Sequence, residues 1–142
     1  MIWGGSLNFF DFSRELRAFK DIKYLDKPAS ESDVRAMEAE FGMKAGAELE
    51  LYLRNIGSIR RNGAWFFSLD YMRLMMKILK TVQSAGRYFI VGYFGDGDSS
   101  CGVVLVDETD RICLYDIFKS CFIACDKDLF AYILDRLSES DV

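Results

Sequence analysis

Residues 87–125 constrain the fold of this chain more than any other stretch. They read RYFIVGYFGDGDSSCGVVLVDETDRICLYDIFKSCFIAC, in which apolar runs rich in β-branched and aromatic residues are interrupted by one Gly/Asp/Ser turn and one Asp/Glu/Thr turn. Apolar runs bounded by turn residues are typical of β-strands. The stretch therefore predicts a multi-stranded antiparallel sheet, in which residues 87–94 form a central strand buried on both faces.

Helical periodicity surrounds this sheet. Ser30 has an acid three positions on, Asp33, which is the pattern of a helix N-cap, and Gly42 follows the apolar stripe, so we predict a helix over residues 31–41. Apolar spacing also predicts helices over 11–23, 47–56, 70–84 and 127–137, the last capped by Asp126, and strands over 64–69, 103–106, 112–118 and 121–124. A chain of 142 residues suits one domain. We therefore expect a single-domain α+β fold with helices packed against a mostly antiparallel sheet.

Charge is divided between two segments of the chain. The net charge is −4, but residues 54–87 hold seven basic residues and one acid, whereas residues 96–116 hold six acids and one basic residue. A mildly acidic total argues against nucleic-acid binding, which depends on clustered Lys and Arg. An acidic segment suits a basic partner protein instead, because complementary fields raise the association rate.

Residue types exclude most enzyme classes. The chain has no histidine, so it lacks the most common general base and metal ligand, and a Ser-His or Cys-His nucleophile is impossible within it. Its four cysteines lack paired C-x-x-C spacing, and Cys113, Cys121 and Cys125 are predicted as reduced core residues. The N-terminus lacks the basic and apolar regions of a secretory signal, and no apolar run could span a membrane. We therefore expect a cytoplasmic protein that is not an enzyme.

The segment from Asp96 to Asp107 superficially resembles a calcium-binding EF-hand loop. Asp96, Asp98 and Ser100 occupy the first, third and fifth positions, and Asp107 the twelfth. The sixth position, where the sharp turn needs glycine, is Cys101, and strands rather than helices flank the loop. No helix N-terminus follows to hold a phosphate. The segment is therefore interpreted as a polar hairpin turn, with no cofactor and no metal.

The order of these elements resembles the SUKH superfamily of bacterial immunity proteins, which are relatives of a fungal regulator of cell-wall glucan synthesis. The resemblance covers residues 28–137. It is carried by Pro28-Ala29-Ser30-x-x-Asp33-Val34-x-x-x-Glu38-x-x-Phe41-Gly42, Tyr52-Leu53, Asn55-Ile56-Gly57, Gly95-Asp96-Gly97-Asp98, Tyr115-Asp116, Ile123-Ala124-Cys125-Asp126 and Leu129-Phe130-x-x-Ile133. One segment differs, since residues 43–46 read Met-Lys-Ala-Gly where members commonly carry Leu-Pro.

The resemblance implies a protein that binds and neutralises a cognate bacterial toxin, often a nuclease or deaminase, without catalysis. We place the predicted partner-binding surface on the acids of the two turns, where a basic toxin would be occluded: Asp96, Asp98, Asp107, Glu108 and Asp110. Two alternatives stay open at this point. One is an adaptor of the glucan-synthesis-regulator type, and the other is a small-ligand-binding protein with a pocket between the sheet and the helix over residues 70–84.

Overall fold

A computed structural model describes residues 7–61, 63–95 and 101–139 of the chain. Six helices and seven strands occupy these ranges. The helices are α1 (Phe9–Ala18), α2 (Glu31–Phe41), α3 (Ala47–Asn55), α4 (Leu69–Ile78), α5 (Lys80–Ala85) and α6 (Leu129–Glu139). The strands are β1 (Lys23–Asp26), β2 (Ser58–Arg61), β3 (Ala64–Phe66), β4 (Phe89–Gly95), β5 (Cys101–Val106), β6 (Arg111–Asp116) and β7 (Cys121–Asp128).

The strands form one antiparallel sheet in which spatial order follows chain order, from β1 at one edge to β7 at the other. The fourth of the seven strands is β4, and it is buried along most of its length, as is β5. The predicted central strand is therefore confirmed. The predicted α+β class, with a mostly antiparallel sheet and helices packed against it, is confirmed as well.

Helices α4 and α6 pack against the sheet at neighbouring positions of β3. Tyr71 of α4 contacts Trp65, with 4.7 Å between ring centroids, and Tyr132 of α6 contacts Phe66 at 6.2 Å. Consecutive side chains of a strand point to opposite faces of the sheet. The two helices therefore cover opposite faces, and one core cluster of apolar residues extends through the described ranges.

Helix α2 has the predicted limits, and local signals explain both of its ends. The Ser30 side chain accepts a hydrogen bond from the Asp33 amide, and the Asp33 carboxylate accepts one from the Ser30 amide. Gly42 ends the helix in the left-handed conformation, at φ +66°. Such reciprocal capping needs no contact with the rest of the fold, which is why sequence alone predicts it.

Two strands were not predicted. The predicted helix over 11–23 extended to residue 23, and residues 24–26 were assigned to no helix or strand, but α1 already ends at Ala18 and residues 23–26 form β1. Residues 58–61 form β2, which pairs with both β1 and β3. Both strands are only four residues long and charged, so neither shows an apolar alternation. Pairing between strands defines them instead, with β1 and β2 distant in the chain and β2 and β3 adjacent in it.

Two further predicted helices have different limits. The predicted helix over 70–84 is divided into α4 and α5 at Leu79, whose ψ of +48° is not helical. The predicted cap of the last helix is wrong, since α6 begins at Leu129 and the Phe130 amide donates to the Glu48 carboxylate rather than to Asp126. The Glu48 side chain on α3 is therefore turned partly inward.

Candidate functional site

The predicted acidic surface combines two acidic segments of the sequence, one before β5 and one after it. Asp96 and Asp98 lie outside the described residues, whereas Asp107, Glu108 and Asp110 form the turn between β5 and β6. Strand β5 begins at Cys101, which follows the first acidic segment, and ends at Val106, just before the second. At about 3.3 Å per residue, Cys101 and Asp107 are roughly 20 Å apart. The length of β5 therefore separates Asp107, in the second acidic segment, from Cys101, which follows the first.

Asp110 is used inside the fold. Only 7% of its surface is exposed, and its carboxylate oxygens accept hydrogen bonds from the amides of Glu48 and Leu49, both at 3.0 Å. Those amides belong to the first turn of α3, whose N-cap residue, Gly46, offers no side chain. A Cβ at position 46 would lie 2.3 Å from the Asp110 carboxylate, so glycine is needed there. Asp110 is the non-local cap of α3 and presents no carboxylate to a partner.

The other two acids of the turn differ in exposure. One carboxylate oxygen of Asp107 accepts hydrogen bonds from the Thr109 amide (2.8 Å), the Thr109 hydroxyl (2.7 Å) and the Arg111 amide (3.1 Å), so it shapes the turn itself. Glu108 is more exposed and pairs with Arg87 at 3.2 Å. Of the three predicted docking residues in this turn, Glu108 has the carboxylate that is most available to a partner.

A second inward carboxylate lies beside Asp110. Glu48 accepts a hydrogen bond from the Phe130 amide at 2.8 Å and so caps α6 from α3. The pKa of Glu48 is raised to about 7, chiefly by burial and further by the nearby carboxylates of Asp110 and Asp128, against the opposing effect of that hydrogen bond. Burial also raises the pKa of Asp110. Raised carboxyl pKa values occur in general acids, but here both carboxyls hold helix N-termini, so we assign them a structural role.

Four exposed apolar side chains lie close together on the hairpin of β6 and β7. We call Ile117, Phe118, Phe122 and Ile123 the β7 patch; their exposed fractions are 46%, 64%, 45% and 42%. Phe122 and Ile123 are consecutive in β7 and so point to opposite faces of the sheet. Strand β7 is the last strand, and within the described ranges its outer edge has no strand partner. Apolar side chains therefore border an open backbone edge on both sides.

Internal hydrogen bonds hold the turn of this hairpin in place. The Ile117 amide donates to the Cys101 carbonyl at 2.8 Å, and the buried carboxylate of Asp116 accepts a hydrogen bond from the Lys119 amide at 3.0 Å. The Phe122 ring also packs on Tyr115, with centroids 4.9 Å apart. The patch is therefore pre-organised, which lowers the entropic cost of binding a partner.

The remaining predicted features are the cysteines, the EF-hand-like segment and the ligand pocket. The four cysteines are free; Cys113 is buried as predicted, but Cys101, Cys121 and Cys125 are only half-buried. The EF-hand-like segment 96–100 lies outside the described residues, and in the part of the chain that is described no group of acids and cysteines is arranged to hold a metal ion. Met72 and Met76 of α4 are fully buried beneath this helix, where the ligand pocket was predicted.

The chain was compared with family models, curated proteins and solved structures, and nothing matched it. In the ranges 7–61, 63–95 and 101–139, no helix is long and apolar enough to cross a membrane. Function is therefore inferred from the surface of the fold and from the resemblance described above. The apolar character of the β7 patch was visible in the sequence, but its exposure was not, because residues 112–118 and 121–124 were predicted only as strands.

Proposed function

We propose that this chain is an immunity protein of the SUKH type, which binds a cognate toxin in the cytoplasm and neutralises it by steric occlusion rather than by catalysis. The β7 patch is the observation that carries the proposal. Four large apolar side chains within seven positions border a strand edge that has no partner strand among the described residues, and exposed apolar surface of this kind marks protein-binding sites.

The occupant of the patch is the toxin. A large apolar side chain that passes from water into a protein interface contributes about 1.5–3 kcal/mol, so burial of Phe118 and Phe122 could supply much of the affinity. The unpaired amides and carbonyls of β7 would add main-chain hydrogen bonds to an extended segment of the toxin. The toxin's active site would then be covered by the neighbouring surface of this chain.

Charge contributes to encounter more than to affinity in this proposal. The net charge of −4 suits a basic toxin. Nucleases and deaminases that act on phosphate-rich substrates need such a basic surface. Glu108 stays a predicted contributor to this attraction, together with Asp96 and Asp98. Asp110 and Asp107 are left out, because their carboxylates are held by amides of the chain itself.

Co-expression in a bacterial host tests the proposed function. Each toxin domain encoded beside this gene is induced with and without this chain, and growth is measured. We expect one toxin to arrest growth and the intact chain to restore it. Phe118→Ser combined with Phe122→Ser should abolish the rescue while the variant keeps the melting temperature of the parent protein.

Matched controls separate the patch from general surface hydrophobicity. Phe10 on α1 and Ile78 on α4 are as exposed as the patch residues, at 69% and 63%. Phe10→Ser and Ile78→Ser should leave the rescue unchanged. Rescue that survives the double substitution in the patch, or that is lost equally in the controls, would rule out the β7 patch as the docking surface. Failure of the intact chain to protect against any neighbouring toxin would contradict the immunity function.

A further inference from the structure

The opposite edge of the sheet has a different surface, built around two cations. In the sheet register Lys23 of β1 lies directly opposite Arg60 of β2, and both residues are exposed. Directly opposed strand residues have their side chains on the same face, and like charges in that arrangement destabilise a sheet. The pair therefore carries an electrostatic cost that nothing in β1 or β2 removes.

Arg60 is held in a fixed position by an aromatic platform. Its guanidinium carbon lies 5.6 Å from the ring centroid of Trp65, the residue opposite it in β3. The Trp65 indole N–H donates to the Ser58 hydroxyl at 3.2 Å, and the Tyr71 ring packs against the indole at 4.7 Å. The cation is thus pre-organised, as in sites that bind carboxylates or phosphates with the Arg fork.

The surroundings of the two cations leave them accessible. An open depression is lined by Lys23, Arg60, Leu25 and Asp21. Within the described ranges neither cation forms an ion pair, although Asp21 borders the same depression. All four residues of β1 are exposed, and the outer edge of β1 has no strand partner among the described residues. An anionic group and an unpaired backbone could therefore be bound side by side.

We propose that the edge of β1, with Lys23 and Arg60, binds an acidic segment of a partner protein in extended conformation. The segment pairs with β1 as an added strand, and one of its carboxylates lies between the Lys23 ammonium and the Arg60 guanidinium. Alternate residues of such a strand face the same side, so acids at every second position meet the cationic face. This site is independent of the β7 patch and is separate from the proposed toxin-binding function.

Titration of the full chain with a capped peptide of alternating Glu and Thr tests this inference. Trp65 fluorescence is recorded in a Trp3→Phe background, which leaves Trp65 as the single tryptophan of the two in the sequence. We expect saturable binding that weakens with added salt. Combined Lys23→Gln and Arg60→Gln should weaken binding about tenfold or more, because charge-assisted contacts are lost. Lys80→Gln, which removes an exposed cation from α5, is the matched control and should have little effect.

Several results would overturn the inference. The first is that the Glu/Thr peptide does not bind. The second is that a Gln/Thr peptide binds equally well, and the third is that Lys80→Gln loses as much affinity as the double substitution. Inorganic phosphate that competes fully with the peptide at low concentration would show a site for a single small anion instead. A short oligothymidylate that binds more tightly than the peptide, with the same dependence on Arg60, would show a nucleic-acid site. Because toxin rescue is measured separately, failure here leaves the proposed function standing.

Discussion

Two regions that are close in the chain differ in where their side chains point. One is the turn between β5 and β6, and the other is the hairpin of β6 and β7. In the first, Asp107 and Asp110 accept hydrogen bonds from amides of the chain itself, so their negative charge is used for folding. In the second, Phe118 and Phe122 stay exposed although apolar residues usually lie inside. An acidic segment is thus not necessarily a docking surface, whereas an exposed apolar edge needs an explanation.

Removal of the inward carboxylate of the first region should have the largest effect on stability. Asp110→Ala leaves the Glu48 and Leu49 amides without their acceptor, so we expect the free energy of unfolding to fall by about 2 kcal/mol. Urea denaturation measures it, provided that the m-value is unchanged. The exposed Asp126 is the matched control, and Asp126→Ala should change the free energy by about 0.5 kcal/mol or less. Equal effects of the two substitutions would show that the Asp110 carboxylate contributes no more to stability than an exposed carboxylate does.

The second prediction concerns pH and Glu48. Its folded pKa of about 7 lies above its ordinary value of 4.5, so the fold favours the protonated form. The stabilisation that Glu48 contributes is therefore complete below pH 4.5 and is lost as the pH rises through 7. After a discount for solvent screening at this half-buried site, the loss is about 1–2 kcal/mol.

Glu48→Gln mimics the protonated side chain and should remove this pH dependence. Urea denaturation at pH 4.5 and pH 8 should show that the variant gains stability relative to the parent protein at the higher pH. Glu31→Gln, which removes an exposed carboxyl from α2, should not reproduce the gain. A difference between Glu48→Gln and the parent that is the same at both pH values would show that the carboxylate is not desolvated in the folded protein.

The smallest effect is expected at Glu108, the outward acid of the same turn. Its ion pair with Arg87 is solvent-exposed, and such pairs contribute about 0–1 kcal/mol. Glu108→Gln should therefore leave the free energy of unfolding nearly unchanged. If Glu108 takes part in encounter, the substitution slows association with the toxin and weakens its salt dependence. A stability loss as large as that of Asp110→Ala would remove the distinction between inward and outward acids in this turn.

Local signals in the sequence predicted part of the fold. Helix α2 was predicted at both ends because the signals are local: Ser30 and Asp33 lie within one turn at its start, and Gly42 directly follows its last residue. Strand β1 was missed because pairing with a distant part of the chain, such as Lys23 with Arg60, defines it rather than any periodic pattern. Strand β2 was missed because its four residues, Ser-Ile-Arg-Arg, show no apolar alternation, although β2 pairs with β3 directly after it in the chain. The same limit applies to the break at Leu79, where no proline or glycine marks the end of α4.

The candidate site was harder to predict for the same physical reason. An acid in a turn has the same sequence signal whether it faces water, as Glu108 does, or caps a distant helix, as Asp110 does. One signal was present but not used: Gly46 begins a helix without a capping side chain, so an acceptor must come from elsewhere. The β7 patch could not be predicted as exposed, because strand order decides which apolar strand lies at the edge.

Hydrogen–deuterium exchange of the complex with the cognate toxin tests the central claim most directly. If the β7 patch is the docking surface, toxin binding slows exchange at the amides of residues 117–124, and the amides of residues 107–111, already bonded inside the fold, change little. Slowed exchange confined to residues 107–111, with residues 117–124 unaffected, would contradict the account and return the binding surface to the acidic turn.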